Sequence, residues 1–161
     1  MSSRTRQPFA PALLHPVALL STVLLWFNDH WLKLHFPGAF TGKLSDVCGM
    51  VFFPLLLLAL VELGWWLSGS SRRVGTAGIV AACVVTGGVF AAINLMTAAA
   101  EAYRLCAAVL WIPAMLVRGS VGVVGIHHTM DPTDLLALPA LLVAYLIAVR
   151  APMRAQANRR T

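Results

Sequence analysis

Charge is scarce in this chain. Only 11% of its 161 residues are Asp, Glu, Lys or Arg, less than half the roughly 25% usual in soluble domains. The hydrophobic share is 59%. A chain this small has too much surface to hide that much apolar area from water. The composition therefore excludes an ordinary soluble domain and points to lipid as the solvent. Acid is scarcer still: 6 Asp and Glu stand against 12 Lys and Arg, for a net charge of +6. The excess does not describe a nucleic-acid surface. Arg4, Arg6, Arg72, Arg73, Arg150, Arg154, Arg159 and Arg160 flank apolar runs and form no patch interleaved with aromatics, which is how cytoplasmic membrane flanks read. Cysteine is sparse and odd in number. Cys48, Cys83 and Cys106 lie within apolar stretches without metal-ligand spacing, as small packing residues do.

Several chemistries lack their signatures. There is no H-E-x-x-H string for a zinc hydrolase. Thr41-Gly42-Lys43-Leu44-Ser45-Asp46 lacks the first glycine and the Gly-Lys-Ser/Thr order of a phosphate-binding loop, which excludes nucleotide binding. No alternating pattern supports a membrane barrel, so backbone satisfaction in lipid demands helices.

What is present is a set of long apolar runs. A spanning helix needs about 20 mostly apolar residues, and the stretches near 11–31, 46–67, 74–97 and 132–149 qualify. The expectation is an all-α integral membrane bundle of four transmembrane helices, forming one membrane domain over residues 1–161. Arg4 and Arg6 before the first run imitate a signal peptide. The run is long for one, however, and Asn28-Asp29-His30-Trp31 follows it in place of a small-residue cleavage site, so it reads as a retained span. Pro54 and Pro139 fall inside spans and are expected to kink them.

The arginines gather in the N-terminal tail, the loop near 68–73 and the C-terminal tail. This bias places both termini in the cytoplasm. Residues 98–117 are apolar but carry Glu101 and Arg104 at their start and Pro113 later. A fifth span would export the arginine-rich C-terminus. The segment therefore reads as an interfacial or re-entrant helix on the outer side, with Glu101 and Arg104 paired on one face.

Three polar strings lie at the ends of these runs, on the outer side. Asn28-Asp29-His30-Trp31-Leu32-Lys33 closes the first; Asp29 and Lys33 can pair four apart, and Asn28, Asp29 or His30 can turn inward. Thr41-Gly42-Lys43-Leu44-Ser45-Asp46 opens the second, with Ser45 or Asp46 as its cap and Gly42 in the turn. Asp131-Pro132-Thr133-Asp134 opens the last, with Asp131 as N-cap and Pro132 in the first helical position. Glu62 falls near the inner face and is expected to pair with a loop arginine. His15, beside Pro16, reads as an interfacial residue near the cytoplasmic end of the first span.

The strings Asn28-Asp29-His30-x-Leu32-Lys33, Thr41-Gly42-Lys43-Leu44-Ser45-Asp46 and Asp131-Pro132-Thr133-Asp134-Leu135-x-Ala137-Leu138-Pro139 resemble a family of small, uncharacterised bacterial multi-pass membrane proteins. That resemblance covers most of the chain and implies a membrane location without an assigned activity. Asp29-His30-x-x-Lys33 is also weakly similar to the Asp-Gln-x-x-Lys-like element near the first span of signal peptidase II, a four-span family with two catalytic aspartates near the outer face. The chain departs from that family in having no Asn-x-Ala-Asp motif before the last span. Asp46 and Asp134 also stand much farther apart than that family's pair. Its catalytic roles are not carried over.

Three functions remain. The first is a binding protein whose outer cleft takes a lipid headgroup, an ion or a partner helix, with Asn28, Asp29, Lys33 and Lys43 as binding residues. The second is a hydrolase or transferase acting on a lipid-linked substrate, with Asp46 and Asp134 as its acid/base pair. In that reading Lys43 holds an anionic group, and His128 moves a proton or binds metal. The third is a small oligomeric transporter, disfavoured by the lack of a continuous polar stripe. His127-His128 with Asp131 and Asp134, joined by Asp29, His30 and Asp46, offers N and O donors for zinc or another divalent metal, His128 and Asp131 being usable on one turn.

Overall fold

The computed structural model describes residues 10–70, 72–118 and 129–157. Among these the chain is helical, with no strand. Helix α1 (Pro16–Phe27) passes through a π turn (Asn28–Leu32) into a single turn, α2 (Lys33–His35). Helices α3 (Ala39–Leu67), α4 (Thr76–Leu95) and α5 (Thr97–Arg118) follow, and a 3₁₀ helix (Pro132–Ala140) runs into α6 (Leu141–Ala157). Three stretches are long and apolar enough to cross a membrane: Ala39–Leu67, Thr76–Leu95 and Pro132–Ala151. The first apolar run is helical across 16–35 but changes type at Asn28, and it is not one of the three.

The chain divides into two compact units, Met1–Gly87 with Leu136–Thr161, and Gly88–Leu135. The first holds a core of Ala18 from α1, Val51, Leu55 and Leu58 from α3, Ile79 and Ala82 from α4, and Ala144, Ile147 and Ala148 from α6. Alanines recur at this seam because small side chains let apolar helices approach closely, where lipid gives no hydrophobic drive to associate. Large apolar side chains such as Leu19, Leu20, Val23, Phe53, Leu60, Val84, Val85 and Leu142 are exposed, the reverse of a soluble surface patch rule.

Local chemistry sets the helix ends. His15 caps α1, its Nδ1 accepting from the Val17 N–H at 3.3 Å. Helix α3 starts at Ala39 rather than at Asp46. Its first turn is held by Thr41, whose hydroxyl accepts from the Gly38 N–H at 3.2 Å and donates to the Gly38 carbonyl at 2.9 Å or to the Phe36 carbonyl at 3.2 Å. Gly42, Ser45 and Asp46 thus lie inside the helix, not in its turn or cap. The expected starts failed because Thr41 already satisfies the Gly38 N–H at an earlier turn. At the other end Gly69 adopts φ +78°. The Ser70 N–H reaches the Trp65 carbonyl at 2.8 Å and the Gly69 N–H the Trp66 carbonyl at 3.0 Å. This is a Schellman motif, and it needs a residue free to take the left-handed conformation.

Glu62 does pair with a loop arginine. Its carboxylate takes Arg73 at 2.7 Å and accepts from the Val74 N–H at 3.3 Å, fastening the end of α3 to the approach to α4. Glu101 and Arg104 pair at 2.9 Å along α5. That helix continues through position 113 to Arg118; a proline removes one hydrogen bond and need not end an apolar helix.

The 3₁₀ helix begins at Pro132 as the sequence predicts. The Asp131 carboxylate accepts from the Thr133 N–H at 2.8 Å, and the Asp131 carbonyl from the Asp134 N–H at 3.0 Å. Its 9 residues exceed the usual run of about 3–4. Side chains three apart eclipse in this geometry, and the exposure follows that period. Leu136, Pro139 and Leu142 are exposed, Leu135, Leu138 and Leu141 half-buried, and Ala137 buried. Leu138 and Leu141 close on Gly87, where a Cβ would lie 3.4 Å from the first and 2.8 Å from the second.

Candidate functional site

Asn28 lies at the junction of α1 and the π turn and is 0% exposed. A buried amide in apolar surroundings must find partners, and α3 supplies them. The Asn28 Nδ2 donates to the Thr41 carbonyl at 2.7 Å and to the Ser45 Oγ at 2.6 Å. Ser45 passes the connection on, its hydroxyl donating to Asp29 Oδ1 at 2.7 Å. Asp29 Oδ1 also holds the Lys33 Nζ at 2.7 Å. The chain of contacts runs from a sealed amide, through a buried hydroxyl, to an ion pair whose side chains are 42% and 41% exposed. One atom is left over: Asn28 Oδ1 is buried and has no hydrogen-bond partner. The amide cannot be turned over to cure this, because the Thr41 carbonyl can accept only from an N–H.

The π turn makes the arrangement possible. Its wider ring carries the Lys33 N–H to the Asn28 carbonyl, inserting a residue relative to α geometry. Such bulges concentrate at functional positions. The opposite surface of the segment is aromatic and exposed. Trp26 stacks on His30, and Phe27 on Trp31, which stacks in turn on His35, with centroids 5.0, 5.2 and 4.6 Å apart. His30 and His35 each bring Nδ1 to the carbonyl four residues back, at 2.8 Å. A carbonyl only accepts, so Nδ1 carries the proton in both.

Of the residues the sequence singles out, Asn28, Asp29 and Lys33 come together, with Asn28 the one that turns inward. Asp29 and His30 stay exposed. Lys43 and Asp46 are half-buried within α3. Asp134 is half-buried in the 3₁₀ helix, and it and Asp46 belong to different units. Asp131 is half-buried and caps the 3₁₀ helix. His127 and His128 lie outside the described residues. Among the described residues no three His, Cys, Asp or Glu side chains gather closely enough to hold a metal.

Two participants are not in the candidate set. Ser45, read as a possible cap, is the relay between Asn28 and Asp29, and Thr41 lends its carbonyl. Their signal was a spacing of four, which places both on one helical face. In the second unit Asn94 resembles Asn28. It is 1% exposed, its Nδ2 donates to the Phe90 carbonyl at 3.0 Å, and its Oδ1 has no partner.

No family model, curated protein or solved structure matches the chain. The site's own chemistry therefore carries the functional argument.

Proposed function

We propose that this is an integral protein of a bacterial cytoplasmic membrane, with four spans and both termini in the cytoplasm, and that its polar cluster at Asn28 binds a lipid headgroup. Three apolar helices of spanning length support the membrane setting. The helical path across 16–35 supplies a fourth span, and α5 then lies at the outer interface. The arginine flanks orient the bundle. The exposed Trp, Phe and His stacks on 26–36 belong at headgroup depth, where rings with one polar edge sit best. This architecture agrees with the resemblance to small bacterial multi-pass membrane proteins.

The observation that carries the reading is the partnerless Asn28 Oδ1, on a residue that Ser45 links to an ion pair open to the exterior. An unmet buried acceptor costs about 1–3 kcal/mol. A protein built only to clamp two helices gains nothing by keeping one.

The test is restoration by lipid. Delipidated protein in detergent gains thermal stability when phospholipid is added back, and Ser45→Ala, which cuts the relay, loses most of that gain. An equal gain in the variant overturns the headgroup assignment.

A further inference from the structure

Resting on the headgroup reading, we propose that the Asn28–Asp29 cluster selects a primary ammonium group, the amine of an aminophospholipid.

The cluster is short of donors. Both hydrogens of the Asn28 amide nitrogen are used, on the Thr41 carbonyl and on Ser45. The single hydroxyl hydrogen of Ser45 goes to Asp29. What remains is an acceptor, Asn28 Oδ1, on the residue that Ser45 links to the Asp29 carboxylate. The missing group must therefore carry N–H or O–H donors and positive charge. A hard divalent cation fits poorly: calcium takes about 6–8 oxygen ligands, and among the described residues no three His, Cys, Asp or Glu side chains gather to hold a metal. A primary ammonium has three donors; a quaternary one has none.

The cluster already holds an ammonium. Lys33 Nζ rests on Asp29 Oδ1 at 2.7 Å, on a side chain 41% exposed. An exposed pair of this kind contributes little and gives way readily. An incoming amine takes the place of Lys33 on Asp29 and adds a donor for Asn28 Oδ1. The displaced Lys33 then meets the phosphate that the same headgroup brings, as a mobile point charge suited to that role. The zwitterion sits amine inward, phosphate outward.

The full-length protein in phosphatidylcholine nanodiscs provides the test, with lipid retention read by native mass spectrometry. Phosphatidylethanolamine of matched acyl chains is retained about tenfold more strongly than phosphatidylcholine, the worth of one charge-assisted hydrogen bond. Asp29→Asn, at an exposed position that leaves the fold intact, abolishes the preference. Lys33→Gln keeps it and strengthens binding of free ethanolamine, because the internal competitor is gone. Equal retention of the two lipids overturns the ammonium assignment; if Ser45→Ala still weakens lipid binding, the headgroup reading survives. Lipid binding that ignores Asp29→Asn and Ser45→Ala alike overturns both. Free ethanolamine binding as tightly as the phospholipid overturns the lipid as the source of the amine.

Discussion

Asn28 and Asp29 are sequence neighbours with opposite energetic roles. Asn28 is sealed, and its two hydrogen bonds cross from one helix to another. Asn28→Ala should lower stability by about 1–2 kcal/mol, the range for interhelical hydrogen bonds in apolar surroundings, measured by unfolding in mild detergent. Asp29→Asn should cost well under 1 kcal/mol, since its ion pair with Lys33 is substantially exposed. A large loss in the second variant and none in the first would show that the ion pair, not the amide, ties the helices. The sequence made both residues visible as polar interruptions of an apolar run, and the four-residue spacing of Asp29 and Lys33 gave their pairing. Which residue turns inward was not legible. An inserted residue rotates everything beyond it by about 100°, and no local pattern announces a π turn.

At the scale of the element, polar residues before an apolar run suggested caps at Ser45 and Asp46. The run's hydrophobicity marks where lipid-compatible residues begin, whereas the helix begins where free amides are satisfied. Thr41 does that earlier, so α3 gains the turns that carry Ser45 to Asn28. The far end of α3 depends on Gly69 at φ +78°. Gly69→Ala forces a side chain into that conformation and should cost about 1 kcal/mol, read as a fall in unfolding midpoint. Glu62 is nearly buried and receives both an Arg73 guanidinium and a backbone amide. Glu62→Ala should cost about 2 kcal/mol and make the 68–75 connection more readily cleaved by protease. Unchanged proteolysis in that variant would mean the connection is held by other contacts.

For the whole molecule, the helical character of the described residues and three of the four expected apolar spans were legible because composition and run length report directly on the solvent a helix needs. The threading of those spans rests on the arginine bias. It predicts that a cysteine placed at Ala155 is protected from an impermeant thiol reagent in intact cells while one placed at Thr129 is modified. The opposite pattern reverses the assigned topology.

The meeting of Leu138 and Leu141 on Gly87 was not legible. In an α-helix, positions three apart share a face but diverge by about 60°, whereas 3₁₀ geometry eclipses them and sets two leucines directly in line. Gly87 therefore acts as a gauge of pitch. Were Pro132–Ala140 to rewind as an ordinary α-helix, Leu138 would swing off the glycine and leave a notch beside it. The tightness of this one contact records how the segment ahead of α6 is wound.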